Sequence, residues 1–235
     1  MARAAQPVVW LSPLMAVLTL ATGMIEAASL LALGPVFTGM QTGNVLFLAF
    51  GLLGQGGLSV VAPAVSLGAF VAGAVLGARV EWRLEEARQR WFIAAVLTEA
   101  VLVAVAALTA WGLEPSHGMP TARHLTTIGV LSGAMGLRNV TAMRAAVPDM
   151  PTTLVTRAMT AFLGGSLLGH DPSFGHTTAA SLRRAASVAA MFAGGAAGAA
   201  FVRLHWPLHL LLLAAAALAL LVALATSRRP LLTTH

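Results

Sequence analysis

The pattern of apolar positions along the chain predicts an all-α integral membrane protein. A helix needs about 20 consecutive apolar residues to cross the hydrocarbon core of a bilayer. Six segments reach that length, at about residues 9–33, 58–78, 91–112, 125–147, 185–202 and 207–226. We therefore predict six transmembrane helices, packed as a single membrane domain over residues 1–235.

Two further apolar stretches, at about residues 35–54 and 151–169, open with polar residues, Gly and Pro that disfavour a helix. Free backbone groups cannot face lipid, so each break must be buried in protein or line a cavity. Each stretch therefore either crosses the membrane with a break or enters it as a re-entrant half-helix.

The arginines separate these two alternatives, because cytoplasmic flanks and short loops collect basic residues. With a cytoplasmic N-terminus and two full crossings, the loop and tail arginines divide evenly between the two sides. With two re-entrant half-helices, ten lie inside and only Arg123 and Arg203 lie outside. This distribution favours six crossings plus two half-helices, with both termini and a charged loop at 79–90 in the cytoplasm.

Composition supports the membrane assignment and removes several chemistries. With 58% hydrophobic and 9% charged residues, the chain has too few charged side chains to form the polar surface of a soluble protein. It has no cysteine, which excludes disulfides, thiolate metal sites and thiol nucleophiles. The net charge of +6 comes from arginines, and orientation in the bilayer accounts for where most of them lie. We therefore expect the lipid bilayer, and not nucleic acid, to be their partner.

An internal repeat is visible in the chain. A glycine and polar cluster precedes a threonine-bearing break twice: Gly23-Met24-Ile25-Glu26 before Thr42-Gly43-Asn44, and Gly136-Leu137-Arg138-Asn139 before Thr156-Arg157-Ala158. Three crossings in each half, at about 9–112 and 125–226, make the two copies inverted relative to each other.

Each half also carries a glycine pair in the span that follows its break. These pairs are Gly73-x-x-x-Gly77 and Gly194-x-x-x-Gly198. Such spacing lets two helix backbones approach closely. The glycine faces are therefore also candidate surfaces for a homo-oligomer.

Two signatures resemble those of a known family. They are Gly23-Met24-Ile25-Glu26-Ala27 followed by residues 37–44, and Gly136-Leu137-Arg138-Asn139 followed by residues 151–156. Over nearly the whole chain they resemble the YoaK-like family of multipass bacterial inner-membrane proteins, whose domain has no known function. The resemblance implies a multipass inner-membrane protein and supplies no substrate. The chain departs from the usual family pattern at Glu26, where Asp is usual, and at Arg157, where Gly is usual.

Ionisable side chains inside a span are functional candidates, because a charge in the bilayer is costly. Glu26 either binds protons or a cation, or forms a buried ion pair with Arg138 of the other half. Glu99 is expected to be a hydrogen-bond partner between helices. Arg138 and Arg157 favour an anionic or zwitterionic ligand.

The two breaks are candidate ligand sites, because helix N-termini present free N–H groups and a positive dipole end. Threonine and asparagine there are also ordinary helix caps. Their occurrence at equivalent positions of both halves favours a substrate or ion site. The candidate binding residues are Glu26, Thr42, Gly43, Asn44, Arg138, Asn139, Thr152, Thr153, Thr156 and Arg157.

No enzyme, cofactor or metal signature stands out in the chain. It has no Walker loop, dinucleotide fingerprint or Gly-x-Ser-x-Gly motif. The histidines at 170 and 176 share a loop with Asp171, and His205 and His209 flank Pro207, but neither pair makes a metal constellation.

We therefore expect a small secondary transporter or permease, with a midplane site between two broken helices. Its solute would be small and anionic or zwitterionic, and Glu26 would be the group for any proton coupling. The alternative is a membrane scaffold or accessory subunit whose polar residues only lock helices together.

Overall fold

A computed structural model describes residues 9–116, 119–150, 152–153, 155–166, 169–174 and 177–228. Regular structure in these ranges is entirely helical. The helices are α1 Ser12–Ala28, α2 Gln41–Leu52, α3 Val61–Glu86, α4 Trp91–Thr109, α5 Ala122–Ala145, α6 Val155–Gly164, α7 Thr178–Arg203 and α8 Leu208–Ser227. A π-helical turn, Ser29–Leu33, extends α1.

Five segments of the described chain are long and apolar enough to span a membrane. They correspond to α1 with its extensions, α3, α4, α7 and α8. The sixth predicted span forms α5, which at 24 residues is long enough but more polar. Its polar side chains Thr127, Ser132, Arg138 and Thr141 are buried against neighbouring helices, so α5 satisfies them within the protein.

Two hydrophobic clusters define the ends of the helix bundle. One joins the starts of α1 and α4 to the ends of α5 and α8, through residues such as Leu11, Trp91, Ala145 and Val222. We call this the arginine end, because Arg90 donates to the Ser227 carbonyl oxygen there. The other cluster joins the ends of α1 and α4 to the starts of α3, α5 and α8.

The short helices α2 and α6 each lie between two long helices that meet at the same end of the bundle. The end of α1 and the start of α3 share the cluster opposite the arginine end. Likewise the end of α5 and the start of α7 are joined at the arginine end, where Asp149 pairs with Arg184. Neither α2 nor α6 therefore runs the length of the bundle.

Glycine contacts bring two pairs of long helices together. A Cβ at Gly194 of α7 would lie 2.0 Å from the carbonyl oxygen of Leu20 in α1. A Cβ at Gly73 of α3 would lie 2.0 Å from the carbonyl oxygen of Gly133 in α5. The glycine faces considered for a homo-oligomer are thus used for packing within the chain.

The prediction that residues 79–90 form a charged loop is wrong for most of that range. Residues 79–86 continue α3, and Glu81 is only 1% exposed. Positions 81 and 85 are one helical turn apart, so both carboxylates face Arg144 of α5 and pair with it. The same guanidinium lies 5.7 Å from the ring centre of the buried Trp91.

Candidate functional site

The first break follows the π-helical turn of α1. Gly34 ends the helix because its φ of 134° is open to glycine and rarely to other residues. The hydroxyl of Ser29 donates to the carbonyl oxygen of Val36 at 2.8 Å and holds the chain as it turns back. Residues 34–40 thereby return to the level of Glu26 before α2 begins.

Glu26 closes the first break with its carboxylate. Oε2 accepts from the Thr38 backbone N–H at 3.1 Å, and Oε1 accepts from the Thr38 hydroxyl at 3.1 Å. Oε1 also accepts from the backbone N–H of Gly39 at 2.5 Å. The side chain is buried, so its oxygens satisfy backbone donors that could not face lipid.

Asn44 closes the other side of the same break. Its Oδ1 accepts from the Phe37 N–H at 2.9 Å, and its Nδ2 donates to the Phe37 carbonyl oxygen at 2.6 Å. Nδ2 also lies 2.9 Å from the hydroxyl of Ser66 in α3. The Phe37 ring covers Gly43, where an added Cβ would lie 2.7 Å from it. In the described structure Asn44 thus bonds to the Phe37 backbone and Gly43 packs against the Phe37 ring, while Thr42 is exposed.

Arg138 pairs with Glu99 rather than with Glu26. Its guanidinium donates to both carboxylate oxygens of Glu99, to the Leu18 carbonyl oxygen at 2.7 Å and to the Thr22 hydroxyl at 3.1 Å. The hypothesis of a Glu26–Arg138 ion pair is therefore wrong, because the Glu26 carboxylate instead accepts hydrogen bonds from Thr38 and Gly39. The expectation that Glu99 bonds between helices is confirmed.

The second break begins where α5 ends at Ala145. Ala146 adopts a left-handed φ of 47°, and Pro148 cannot continue a helix. Asn139 of α5 accepts from the Thr153 hydroxyl at 2.9 Å. The hydroxyl of Thr152 is buried and has no hydrogen-bond partner within the described part of the chain.

An open cavity of about 1000 Å³ lies beside the second break, between α5, α6 and α7. Its polar lining includes Asn139, Thr152, Arg157 and Arg184. Arg157 is exposed. Arg184 is held by Asp149, with Nε 2.8 Å from Oδ1.

The structure divides the candidate residues into two clusters. Glu26, Gly43 and Asn44 lie at the first break, where α2 packs on α3. Asn139, Thr152, Thr153 and Arg157 lie at the second, where α6 packs on α7, and Thr156 is exposed on α6. Arg138 belongs to neither, and no hydrogen bond among the described residues joins the two breaks.

Sequence reasoning missed the part that Asp149, Arg183 and Arg184 play at the cavity. The topology count treated both arginines only as members of the ten cytoplasmic arginines, yet both pair with Asp149. Asp149 is distant from them in sequence, so spacing gave no sign of the contact. The described residues contain no group of three metal-ligating side chains, and the histidine at 176 lies outside them.

A family described as a protein of unknown function, DUF1275, matches residues 14–224 of the chain. The chain belongs to the DUF1275 family. The resemblance to the YoaK-like proteins is thereby confirmed. No curated protein and no solved structure matches the chain.

We predict that Glu26→Gln destabilises this DUF1275 protein. Three donors converge on the two carboxylate oxygens, and an amide would turn an NH₂ group toward at least one of them. An unpartnered buried donor costs about 1–3 kcal/mol. The thermal unfolding midpoint in detergent, followed by tryptophan fluorescence, should fall.

The matched control is Glu86→Gln, at an exposed carboxylate at the end of α3. It should leave the midpoint unchanged. Equal midpoints for Glu26→Gln and wild type would contradict the closing role of Glu26.

Proposed function

We propose that this DUF1275 protein is a small membrane permease, and that its solute enters the cavity beside the second break. The observation that carries the proposal is the cavity of about 1000 Å³, lined by polar groups and by the charged side chains of Asp149, Arg157 and Arg184 in an otherwise apolar chain. A helical membrane protein builds ligand sites where irregular backbone lines a cavity, because such backbone cannot face lipid. The second break has this arrangement.

We further propose six crossings and two half-helices arranged as two inverted repeats. The helix pairs support this arrangement, since α1 packs on α7 as α5 packs on α3, with glycines at both contacts. In the same way α2 packs on α3 and α6 on α7. The arginine end would face the cytoplasm of a bacterial inner membrane.

The two halves differ in a way that suits transport. The first break is closed by Glu26 and Asn44, whereas the second break opens to the cavity. Transporters with inverted repeats alternate by letting one repeat move against the other around a fixed site. A protein whose first break is closed and whose second break is open at the arginine end would represent one state of such a cycle.

The second candidate, a membrane scaffold, is favoured by the packing around the intramembrane charges. Glu26 is bonded to the backbone, and Arg138 is bonded to Glu99 and α1. Neither group needs a solute to be satisfied. A scaffold would leave the cavity without a transport role.

A flux assay in proteoliposomes separates these functions. We expect uptake, above protein-free vesicles, of at least one solute among amino acids, small carboxylates and inorganic phosphate, measured with and without a pH gradient. Ala161→Phe should reduce that uptake, because the new ring would occupy the cavity that Ala161 lines. Ala49→Phe, at an exposed site on α2, is the control that should not.

Absence of uptake by protein that unfolds with its normal midpoint would reject the permease and support the scaffold. Uptake that Ala161→Phe leaves unchanged would place the solute path elsewhere.

A further inference from the structure

We propose that the cavity binds the carboxylate group of a small solute, and that this carboxylate occupies in the second half the place that the Glu26 side chain occupies in the first. This inference rests on the proposed function only in treating the cavity as a ligand site. It deepens that function by naming the chemical group that is bound.

The repeat in the sequence fixes which residues correspond. Matching Gly23 with Gly136 places Asn139 opposite Glu26. Matching Thr42 with Thr156 places Thr152 opposite Thr38, Arg157 opposite Gly43 and Ala158 opposite Asn44. Matching the glycine pairs of α3 and α7 places Ser187 opposite Ser66.

In the first half, the buried hydroxyls of Thr38 and Ser66 both have internal partners. The Thr38 hydroxyl donates to the Glu26 carboxylate. The Ser66 hydroxyl donates to the Phe37 carbonyl oxygen at 2.7 Å and lies 2.9 Å from Asn44 Nδ2. The carboxylate and the amide thus fill the space beside the break.

In the second half, the corresponding partners are missing from the sequence. A neutral amide, Asn139, replaces the carboxylate, and Ala158 replaces the amide. The hydroxyls of Thr152 and Ser187 are both fully buried and have no hydrogen-bond partner among the residues that the structure describes. Buried hydroxyls are normally bonded, so an unbonded hydroxyl in a cavity wall indicates a polar ligand. Thr152 lies in the cavity wall itself.

The charges at the second break select an anion. Arg157 stands where the first half has Gly43, lines the cavity and forms no hydrogen bond or ion pair within the described residues. Asp149, a carboxylate in the cavity wall, pairs with both Arg183 and Arg184, so this cluster keeps one net positive charge. The guanidinium of Arg157 therefore remains available to the solute.

The geometry of the first half points to a carboxylate in particular. There the corresponding hydroxyl meets a planar carboxylate whose two oxygens are shared among three donors. A guanidinium also binds a carboxylate through two parallel hydrogen bonds. The Arg157 guanidinium and the Thr152 hydroxyl would supply donors for the same planar group.

Protection of a cavity cysteine provides a direct test, because the chain has no cysteine of its own. Thr160→Cys would place a single thiol in the cavity wall. The rate of its reaction with a maleimide is measured on purified full-length protein in detergent, at constant ionic strength. The probes are acetate, propionate and inorganic phosphate, with chloride as the balancing anion.

Acetate and propionate should slow the reaction in a saturable manner. Adding Arg157→Gln should weaken this protection about tenfold or more, as expected for loss of a charged hydrogen bond. Arg203→Gln, at an exposed arginine on the other end of α7, is the matched control and should leave protection unchanged.

A second variant tests the correspondence with Glu26. Asn139→Glu would place an internal carboxylate beside Thr152 and Thr153, so it should compete with the solute and abolish protection by acetate. An unchanged unfolding midpoint, or a raised one, would show that the variant still folds.

The outcomes distinguish this inference from the permease proposal. Protection by phosphate alone, or protection that Arg157→Gln does not weaken, would overturn the carboxylate site even if the protein transports another solute. Protection with the expected response to both variants, but no flux in vesicles, would establish the site and reject transport.

Discussion

Gly194→Ala is expected to disrupt the packing of α1 on α7 and to produce one of the largest losses of stability available to a single methyl group. The new Cβ would lie 2.0 Å from the carbonyl oxygen of Leu20 and 3.2 Å from the Cα of Gly23. Both are backbone atoms, so no side chain can move aside and the helices must separate. We expect a destabilisation of about 3 kcal/mol, the upper part of the usual range for overpacking.

The measurement is the thermal unfolding midpoint in detergent, with size-exclusion chromatography to detect aggregation. Gly195→Ala is a matched control in the next position of the same helix, where an added Cβ has no neighbour within 4 Å. That substitution should leave the midpoint unchanged or raise it slightly, because alanine favours a helix over glycine. Equal losses from both variants would show that helix propensity, and not close backbone contact, governs this site.

Arg138→Met is expected to destabilise the centre of the bundle by about 3–5 kcal/mol, the cost of breaking a buried ion pair from one side. The substitution removes both donors to Glu99 and leaves that carboxylate buried. It also removes the donors to the Leu18 carbonyl oxygen and the Thr22 hydroxyl. The unfolding midpoint should fall sharply.

The double variant Arg138→Met with Glu99→Met should recover much of this loss, since replacing a whole buried pair by apolar residues is often neutral. Arg123→Met, at an exposed arginine that donates to the carbonyl oxygens of Thr109 and Trp111, is the control and should have a small effect. A double variant less stable than either single variant would show that the two groups do not act as a pair.

Glu26 and Asn139 show how much of the candidate site could be predicted from the sequence. The repeat places them at corresponding positions, and Glu26 stood out because a carboxylate inside a span is costly. The sequence left open a ligand site or an ion pair with Arg138. The carboxylate instead accepts hydrogen bonds from Thr38 and Gly39, a use that depends on the turn made by residues 34–40. Asn139, the less conspicuous residue, lines the cavity.

The glycine pairs show a similar division. Their spacing predicts close helix contact, but it does not say whether the partner is another helix of the chain or a second copy. Gly73 and Gly194 both contact helices of their own chain. Only the rotation of each helix about its axis, which tertiary packing sets, decides between these partners.

By itself, the sequence determined that the chain is helical and suited to a membrane, where its helices break and which residues repeat. These properties follow from the length and order of apolar runs, which are local along the chain. Tertiary structure alone decided which polar groups satisfy one another and which do not. Glu99 and Arg138 lie 39 positions apart, and only the packing of the described helices shows that the hydroxyls of Thr152 and Ser187 lack a partner among the described residues. In an apolar interior a polar group takes whichever partner the packing brings within reach, so the location of the cavity was not encoded in any local pattern.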